Sequence, residues 1–242
     1  MEQLLFTDIF IDFDDTLYDT HGNANKALSE LFCHFGLNDF FASEDAFRIP
    51  YWEVNTELWA LYAHGKISRD KLIVERFRRP LSLGVNADGK HFDTSEAQCL
   101  KVSDYFLEQC ACKPDTISGA HEAIQHLKQR GYRLHLCSNG FCEVQYKKLN
   151  ASHMTDYFDT IILSEEAGAN KPSAQFFNFA LQKSGANRQS TLMIGDNLDT
   201  DIIGAQNARL RTMFFNRQQI KIETTLHVDY EIKSLHEIMW LL

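Results

Sequence analysis

Asp12, Asp14 and Asp15 crowd three carboxylates into the stretch Phe10-Ile11-Asp12-Phe13-Asp14-Asp15-Thr16-Leu17. They follow an apolar run, Leu4 to Ile11, whose composition predicts a short buried strand. Residues two apart on an extended chain face the same side, so Asp12 and Asp14 would project together, about 6–7 Å apart. Like charges so close repel. The backbone donors of a capped turn or a divalent cation would each relieve them, and on these residues alone both readings stay open. A calcium loop of the EF-hand kind does not fit: Leu17 stands where the loop needs Gly, and Asn23 where it needs Glu.

Three later segments also carry polar residues where a strand ends or a helix starts. Tyr132 to Cys137 runs into Ser138-Asn139-Gly140, a hydroxyl, an amide and an accessible glycine N–H. These are neutral donors suited to a tetrahedral oxyanion, with an Asn-Gly turn as the plain alternative. Lys171-Pro172 precedes a helix expected from Ser173, where proline fixes the backbone just after the lysine. Lys171 then either neutralises a phosphoryl group, orients a carboxylate, or lies on the surface. Thr191 to Ile194 leads into Gly195-Asp196-Asn197-Leu198-Asp199-Thr200-Asp201, a second acidic cluster. Asp196 is best placed to reach Asp12, and Asp199 reads as the cap of a following helix. Ile203 stands where a calcium loop would need a ligand.

The elements that must position these groups alternate from Pro114 onward. Helices are expected at Ala120–Gln129, Glu143–Leu149, Ser173–Ser184 and Asp201–Ala208. Strands are expected at Tyr132–Cys137, Thr160–Leu163, Thr191–Ile194 and Thr212–Phe215. Such alternation predicts a parallel sheet with right-handed crossovers, whose ligands bind beyond the carboxyl ends of the strands. The region from about Asp19 to Cys112 reads differently. Ala27, Leu28, Leu31, Phe32 and Phe35 make one helical stripe closed by Gly36. Ser43 caps a second, aromatic-rich helix in which Pro50 predicts a kink or a late start. Ser68 caps a third with Leu72, Ile73 and Phe77, 83–93 is a loop, and a fourth helix spans Ser95–Cys110. The expected fold is therefore α/β, a doubly wound parallel sheet core made of 1–18 and 113–242. Into it a helical bundle, 19–112, is inserted as a cap.

Composition narrows the function. At 242 residues, 44% hydrophobic and 24% charged, the chain has the make-up of a globular protein with a substantial core. A net charge of -9 argues against binding nucleic-acid polymers, which needs basic surface. The start has no signal-peptide pattern, and no apolar run reaches membrane-span length. The six cysteines lack paired zinc spacing and read as free thiols of a reducing cytoplasm. A cytoplasmic monomer or weak dimer is expected.

Taken in order, Asp-x-Asp-x-Thr, a strand ending in Ser, Lys-Pro, and Gly-Asp-x-x-x-x-Asp resemble the haloacid dehalogenase-like (HAD) hydrolase superfamily. The likeness covers nearly the whole chain and is of the α-helical cap type. Asp12, Asp14, Thr16, Ser138, Lys171, Asp196 and Asp201 stand at the matching positions. The resemblance implies a Rossmann-like core and a phosphoryl-transfer site. Asp12 would be the nucleophile and Asp14 the acid and base, with Mg²⁺ held by Asp12, the backbone carbonyl of Asp14 and Asp196. Thr16 and Ser138 would hydrogen-bond the phosphoryl group, with Asn139 and Gly140 beside them. Lys171 would supply fixed positive charge and Asp201 would hold Lys171 or a metal-bound water. An aspartate at position 14 implies a phosphatase or phosphomutase, since the dehalogenase branch lacks an acid there.

Finer features resemble the pyrimidine 5′-nucleotidase branch of that superfamily. These are Ser138-Asn139-Gly140-Phe141 continuing to Gln145, Ser164-Glu165-Glu166-Ala167-Gly168-Ala169-Asn170-Lys171-Pro172, and Tyr51-Trp52-Glu53-Val54-Asn55 with Leu58-Trp59. Gly65-Lys66-Ile67-Ser68-Arg69 resembles the specificity loop of the cap. The resemblance implies a nucleoside 5′-monophosphate, pyrimidine first, contacted from the cap near Asn55 and Lys66, with Trp52 or Asn55 at the base. It also implies a cap hinged near Tyr18–Asp19 and Cys112–Pro114. A sugar phosphomutase, a sugar or glycolate phosphatase, and a catalytically silent binding module are the alternatives.

Overall fold

The computed structural model describes residues 5–223 and 226–242. Leu4, where the predicted apolar run begins, lies outside them. The chain divides into two units, one of Met1–Asp19 with Pro114–Leu242 and one of Thr20–Lys113.

Among the described residues the first unit is built on six parallel strands, β1 (Asp8–Ile11), β2 (Arg133–Ser138), β3 (Thr160–Leu163), β4 (Thr191–Gly195), β5 (Arg211–Phe215) and β6 (Tyr230–Ile232). Their order is β3-β2-β1-β4-β5-β6. β1 and β4 are buried along their whole length, and Ile9–Ile11 and Leu192–Ile194 within them read as short apolar runs. Successive side chains still take opposite faces. Ile9, Ile11, Leu134, Leu136, Leu192 and Ile194 pack into one apolar cluster, and Phe10, Cys137, Ile162 and Met193 into another with Phe176 and Phe177. Ile11 pairs with Leu136 on one side and Ile194 on the other. The carboxyl ends of β1, β2 and β4 therefore come level, and the residues that follow them meet at one edge.

The second unit holds helices α1 (Thr20–His34), α2 (Glu44–Ala63), α3 (Arg69–Leu81) and α4 (Glu96–Ala111). Ser43, Ser68 and Ser95 accept the N–H groups of Ala46, Lys71 and Gln98, each cap stabilising its helix by about 1 kcal/mol. Leu28, Leu31, Phe47, Tyr51, Phe77, Val102 and Phe106 form the apolar core between them. α2 starts at its Ser43 cap, so the late start expected from Pro50 does not occur; Pro50 lies inside the helix.

Around the sheet lie α5 (Ala120–Gln129), α6 (Cys142–Ala151), α7 (Ser164–Ala167), α8 (Ala174–Ser184), α9 (Gly204–Asn207) and α10 (Ile238–Leu241). The helix expected at Asp201–Ala208 is instead a π-helical stretch, Leu198–Ile203, followed by α9. Its cap is Asn197, whose side chain accepts the N–H groups of Asp199 and Thr200; Asp199 is held by that cap and does not provide it. α8 begins one residue later than expected, with Ser173 capping it. All six cysteines are free thiols. No helix among the described residues is long and apolar enough to cross a membrane.

Candidate active site

The loop after β1 brings its own polar groups back onto the strand end. Leu17 and Tyr18 donate to the Phe13 carbonyl and Asp15 donates to Tyr18, closing a tight turn. Asp15 takes a positive φ of 59°, a conformation that a short polar side chain tolerates better than most. The turn carries Thr16, fully buried, to within 3.1 Å of Asp12 Oδ2 and 3.2 Å of Asp196 Oδ1. Thr16 Oγ1 also accepts the Asp196 N–H at 3.1 Å. One hydroxyl thus ties the ends of β1 and β4 together.

Lys171 is 2% exposed and ends among three acceptors. Its Nζ donates to Asp12 Oδ1 at 2.6 Å, Asp201 Oδ1 at 2.7 Å and the Cys137 carbonyl at 2.8 Å. Asn139 fixes the main chain that carries it: Asn139 Oδ1 accepts the Lys171 N–H at 2.8 Å and Asn139 Nδ2 donates to the Lys171 carbonyl at 2.9 Å. Pro172 follows through a cis peptide. Asp201 accepts the Asn197 N–H on its other oxygen at 3.1 Å. A Cβ at Gly195 would lie 2.6 Å from Asp201 Cβ, so glycine is what admits Asp201 beneath the end of β4.

The arrangement also corrects part of the expected ring of neutral donors. Both ends of the Asn139 side chain are taken by Lys171, and the Gly140 N–H donates to Ser138 Oγ at 3.0 Å. These two residues hold Lys171 and Ser138 in place and do not project as oxyanion donors. Ser138, 1% exposed, stays at the site with its hydroxyl 3.4 Å from Asp14 Oδ2.

Two residues of α6 join the site beyond those singled out for chemistry from the sequence. Lys148, 6% exposed, places Nζ 2.5 Å from Asp14 Oδ1. Gln145 Nε2 donates to Asp14 Oδ2 and, at 2.8 Å, to Ser138 Oγ. The signal was their spacing: three residues apart on a helix expected right after Ser138-Asn139-Gly140, they share a face.

Asp12, Asp196 and Asp201 bring carboxylate oxygens within 4.8 Å of one another. Burial, and the charges of Asp201 and Asp14, push the Asp12 carboxyl up to about 7 against the pull of Lys171. Burial, then Asp12, Asp201 and Asp15, hold Asp196 well above the usual carboxylate range. Burial alone would lower the Lys171 ammonium; Asp12 and Asp201 outweigh it and keep the lysine charged. More negative charge is packed here than one lysine offsets. All-oxygen donors in a crowded anionic pocket suit a hard divalent cation such as Mg²⁺. All three carboxylates also accept hydrogen bonds from the protein, Asp12 from Lys171 and Thr16, Asp196 from Thr16, and Asp201 from Lys171 and Asn197. Asp201 lies deepest, 1% exposed against 7% for Asp12, and Asp196 is half-buried, so Asp12 and Asp196 are the more open to a cation. The Asp14 side chain is turned to Gln145 and Lys148, so any part it has in holding a cation falls to its main-chain carbonyl.

The remaining residues of interest lie in the helical unit. Asn55 is half-buried on α2, and Lys66 is exposed in the turn before α3. Trp52 stacks on His21 with centroids 4.2 Å apart and donates its indole N–H to Asn25 at 2.8 Å. Its polar edge is thus already used within that unit.

A parallel sheet whose central strands end in a lysine-centred carboxylate cluster, interrupted after its first strand by a helical unit, defines an α/β protein with an acidic centre suited to a divalent cation. The family model of the haloacid dehalogenase-like hydrolases matches residues 9–209. The chain is 31% identical over 233 residues to pyrimidine 5′-nucleotidase PynA of Streptococcus pneumoniae, spanning 96% of this chain and 92% of that protein. It is 29% identical over 237 residues to pyrimidine 5′-nucleotidase YjjG of Escherichia coli, spanning 97% and 96%. Among solved structures, the putative HAD-hydrolase YfnB of Bacillus subtilis bound to magnesium superposes with a TM-score of 0.83, at 27% identity and over 98% of each chain. This chain belongs to the haloacid dehalogenase-like hydrolase family.

Proposed function

We propose that this hydrolase is a Mg²⁺-dependent 5′-nucleotidase that acts through a phosphorylated Asp12. The enzyme is a phosphoric monoester hydrolase, and nucleoside 5′-monophosphates, pyrimidine deoxynucleotides first, are its preferred substrates. The observation that carries the chemistry is Asp12 itself, at a strand end, with Lys171 at 2.6 Å and Thr16 at 3.1 Å. The likeness to two proteins named pyrimidine 5′-nucleotidases supports the substrate class.

In this reading Asp12 attacks phosphorus while the bond to the leaving oxygen breaks, and Asp14 gives that oxygen its proton. Water then attacks the aspartyl-phosphate, Asp14 takes up a proton, and phosphate leaves with Asp12 restored. Lys171 and Thr16 hold the Asp12 carboxylate in line, and the Ser138 hydroxyl hydrogen-bonds a phosphoryl oxygen. Asp12, the Asp14 carbonyl and Asp196 would hold Mg²⁺, and Asp201 keeps Lys171 in place. The bound ion supplies charge neutralisation for the carboxylates and the substrate together. The test is phosphate release, with and without EDTA, from a panel of pyrimidine and purine nucleotides, triose and hexose phosphates and phosphoglycolate, ranked by kcat/KM. No EDTA-sensitive release from any of them would overturn the chemistry. A sugar phosphate or phosphoglycolate tenfold better than every nucleotide would overturn the substrate class alone.

A further inference from the structure

Gln145 and Lys148 have no part in the reaction just set out, yet both are buried and both end on Asp14. Placing an amide and an ammonium out of water is costly unless their hydrogen bonds are recovered. Here the recovered bonds converge on one carboxylate. Lys148 Nζ takes Asp14 Oδ1 at 2.5 Å, while Gln145 Nε2 takes Asp14 Oδ2 and reaches Ser138 Oγ at 2.8 Å. An aspartate side chain turns about two torsions, and donors on both of its oxygens, carried by one face of one helix, fix both. Lys148 Nζ also sits 5.1 Å from the centre of the Tyr18 ring, in the turn that carries Asp14.

Two details show that the space is shaped for this contact. A methyl group on Gly140 would overlap the Gln145 amide, so glycine is what lets Gln145 reach Ser138 and Asp14. Gln145 Oε1 is buried without a partner. An orphaned buried acceptor is unfavourable, and it is accepted here while the NH₂ end serves Asp14 and Ser138.

We propose that Gln145 and Lys148 are positioning residues that aim the Asp14 carboxyl at the leaving-group oxygen for proton transfer. The inference rests on the reading of Asp14 as the acid above. A pair that merely fastens α6 to the β1 loop would have a different kinetic effect, because aim matters only when the leaving group needs a proton.

The test compares Lys148→Met and Gln145→Leu with the wild type on two substrates in Mg²⁺. One is a nucleoside 5′-monophosphate, whose alkoxide cannot leave unprotonated; the other is p-nitrophenyl phosphate, whose phenolate leaves without help. kcat/KM is the parameter to compare, since it covers the steps through the first P–O cleavage. General acid catalysis contributes about 10²- to 10⁴-fold, so loss of aim is expected to lower kcat/KM on the nucleotide about tenfold or more. On p-nitrophenyl phosphate the change should stay below about threefold. A misfolded fraction lowers both substrates alike, so the ratio between them survives partial unfolding. Gly140→Ala, which displaces Gln145 without touching α6, gives a third variant expected to shift the ratio in the same direction. Equal losses on both substrates, or none on either, would overturn the proposal. Asp14→Asn is the benchmark: if it discriminates between the substrates and the α6 variants do not, the proposal alone fails. Without discrimination by Asp14→Asn, the acid role fails and takes the proposal with it.

Discussion

Replacing Lys171 with Met removes one buried cation while nearly keeping volume, and the structure sets the size of the consequence. Three acceptors lose their donor, two of them carboxylates that then face each other and Asp196 in the interior. Breaking a buried pair by deleting one partner costs about 3–5 kcal/mol, because the charge left behind is uncompensated. That is a sizeable part of the roughly 5–15 kcal/mol that holds a domain folded. In a chain of this length 1 kcal/mol moves Tm by about 2–4 °C, so Lys171→Met should melt roughly 6–20 °C below wild type in EDTA. The control is Lys183→Met. Lys183 meets Glu166 at 2.6 Å, the same distance as Lys171 to Asp12, but both partners are about one-third exposed. A pair screened in that way contributes about 0–1 kcal/mol. Melting curves of the two variants side by side decide whether burial or distance sets the loss. If both melt within about 2 °C of wild type, the carboxylate cluster does not depend on Lys171 for charge balance and the account of the site fails.

Asp12→Asn should leave the melting temperature and far-UV spectrum close to wild type and abolish turnover, which phosphate release measures; retained activity would exclude Asp12 as nucleophile. Asp196→Ala should raise the Mg²⁺ concentration needed for half-maximal activity steeply, whereas Asp199→Ala, at a residue held by the Asn197 cap, should be mild; equal effects in the two titrations would mean the wrong ligand. His135, buried with Nε2 3.0 Å from Asp8 Oδ1, is held below its ordinary value mainly by burial, against the pull of Asp8. At this site the unfolded chain binds more protons than the folded one just below about pH 6.5, so His135 takes stability away as pH drops through that region, while the raised carboxyls of Asp12 and Asp196 act in the opposite sense. The readout is therefore the difference between proteins: from about pH 7.5 to 5.5 the urea midpoint of His135→Gln should change more favourably than that of wild type, and identical changes would exclude the His135 contribution.

The Asp12 loop and the second acidic cluster were legible because each sits where an apolar run stops, and a buried strand announces its own end; Lys171 was legible because Pro172 marks the start of the helix after it. Asn139 shows what such reading lacks. Its type suggested a donor to an oxyanion, but only the fold reveals that Lys171, 32 residues away, takes both ends of its side chain. Lys148 was passed over for the reason that lysines usually are: in isolation a helical lysine is best read as exposed, and its burial depends on where Asp14 turns. β6 was missed because Tyr230-Glu231-Ile232 is too short, with a charge at its centre, to stand out as an apolar run. The π-helical stretch was read as ordinary helix because hydrophobic period alone does not resolve one extra residue in a turn.

The position of β1 has a consequence for how the protein is made. The strand that leads into Asp12 is synthesised well before β2 and β4, yet it lies between them. Thr16 and Asp196, joined by a hydrogen bond, are 180 residues apart in the chain. At about 5–20 residues per second, roughly 9–36 s separate their synthesis. All four helices of Thr20–Lys113 are complete before the first residue of β2 leaves the ribosome. Through that interval an apolar strand waits with both edges unpaired, the state in which strands are most exposed to wrong partners. Protease resistance of stalled nascent chains would therefore be expected in the helical segment well before β1, and the strand would become protected only after Gly195 has emerged.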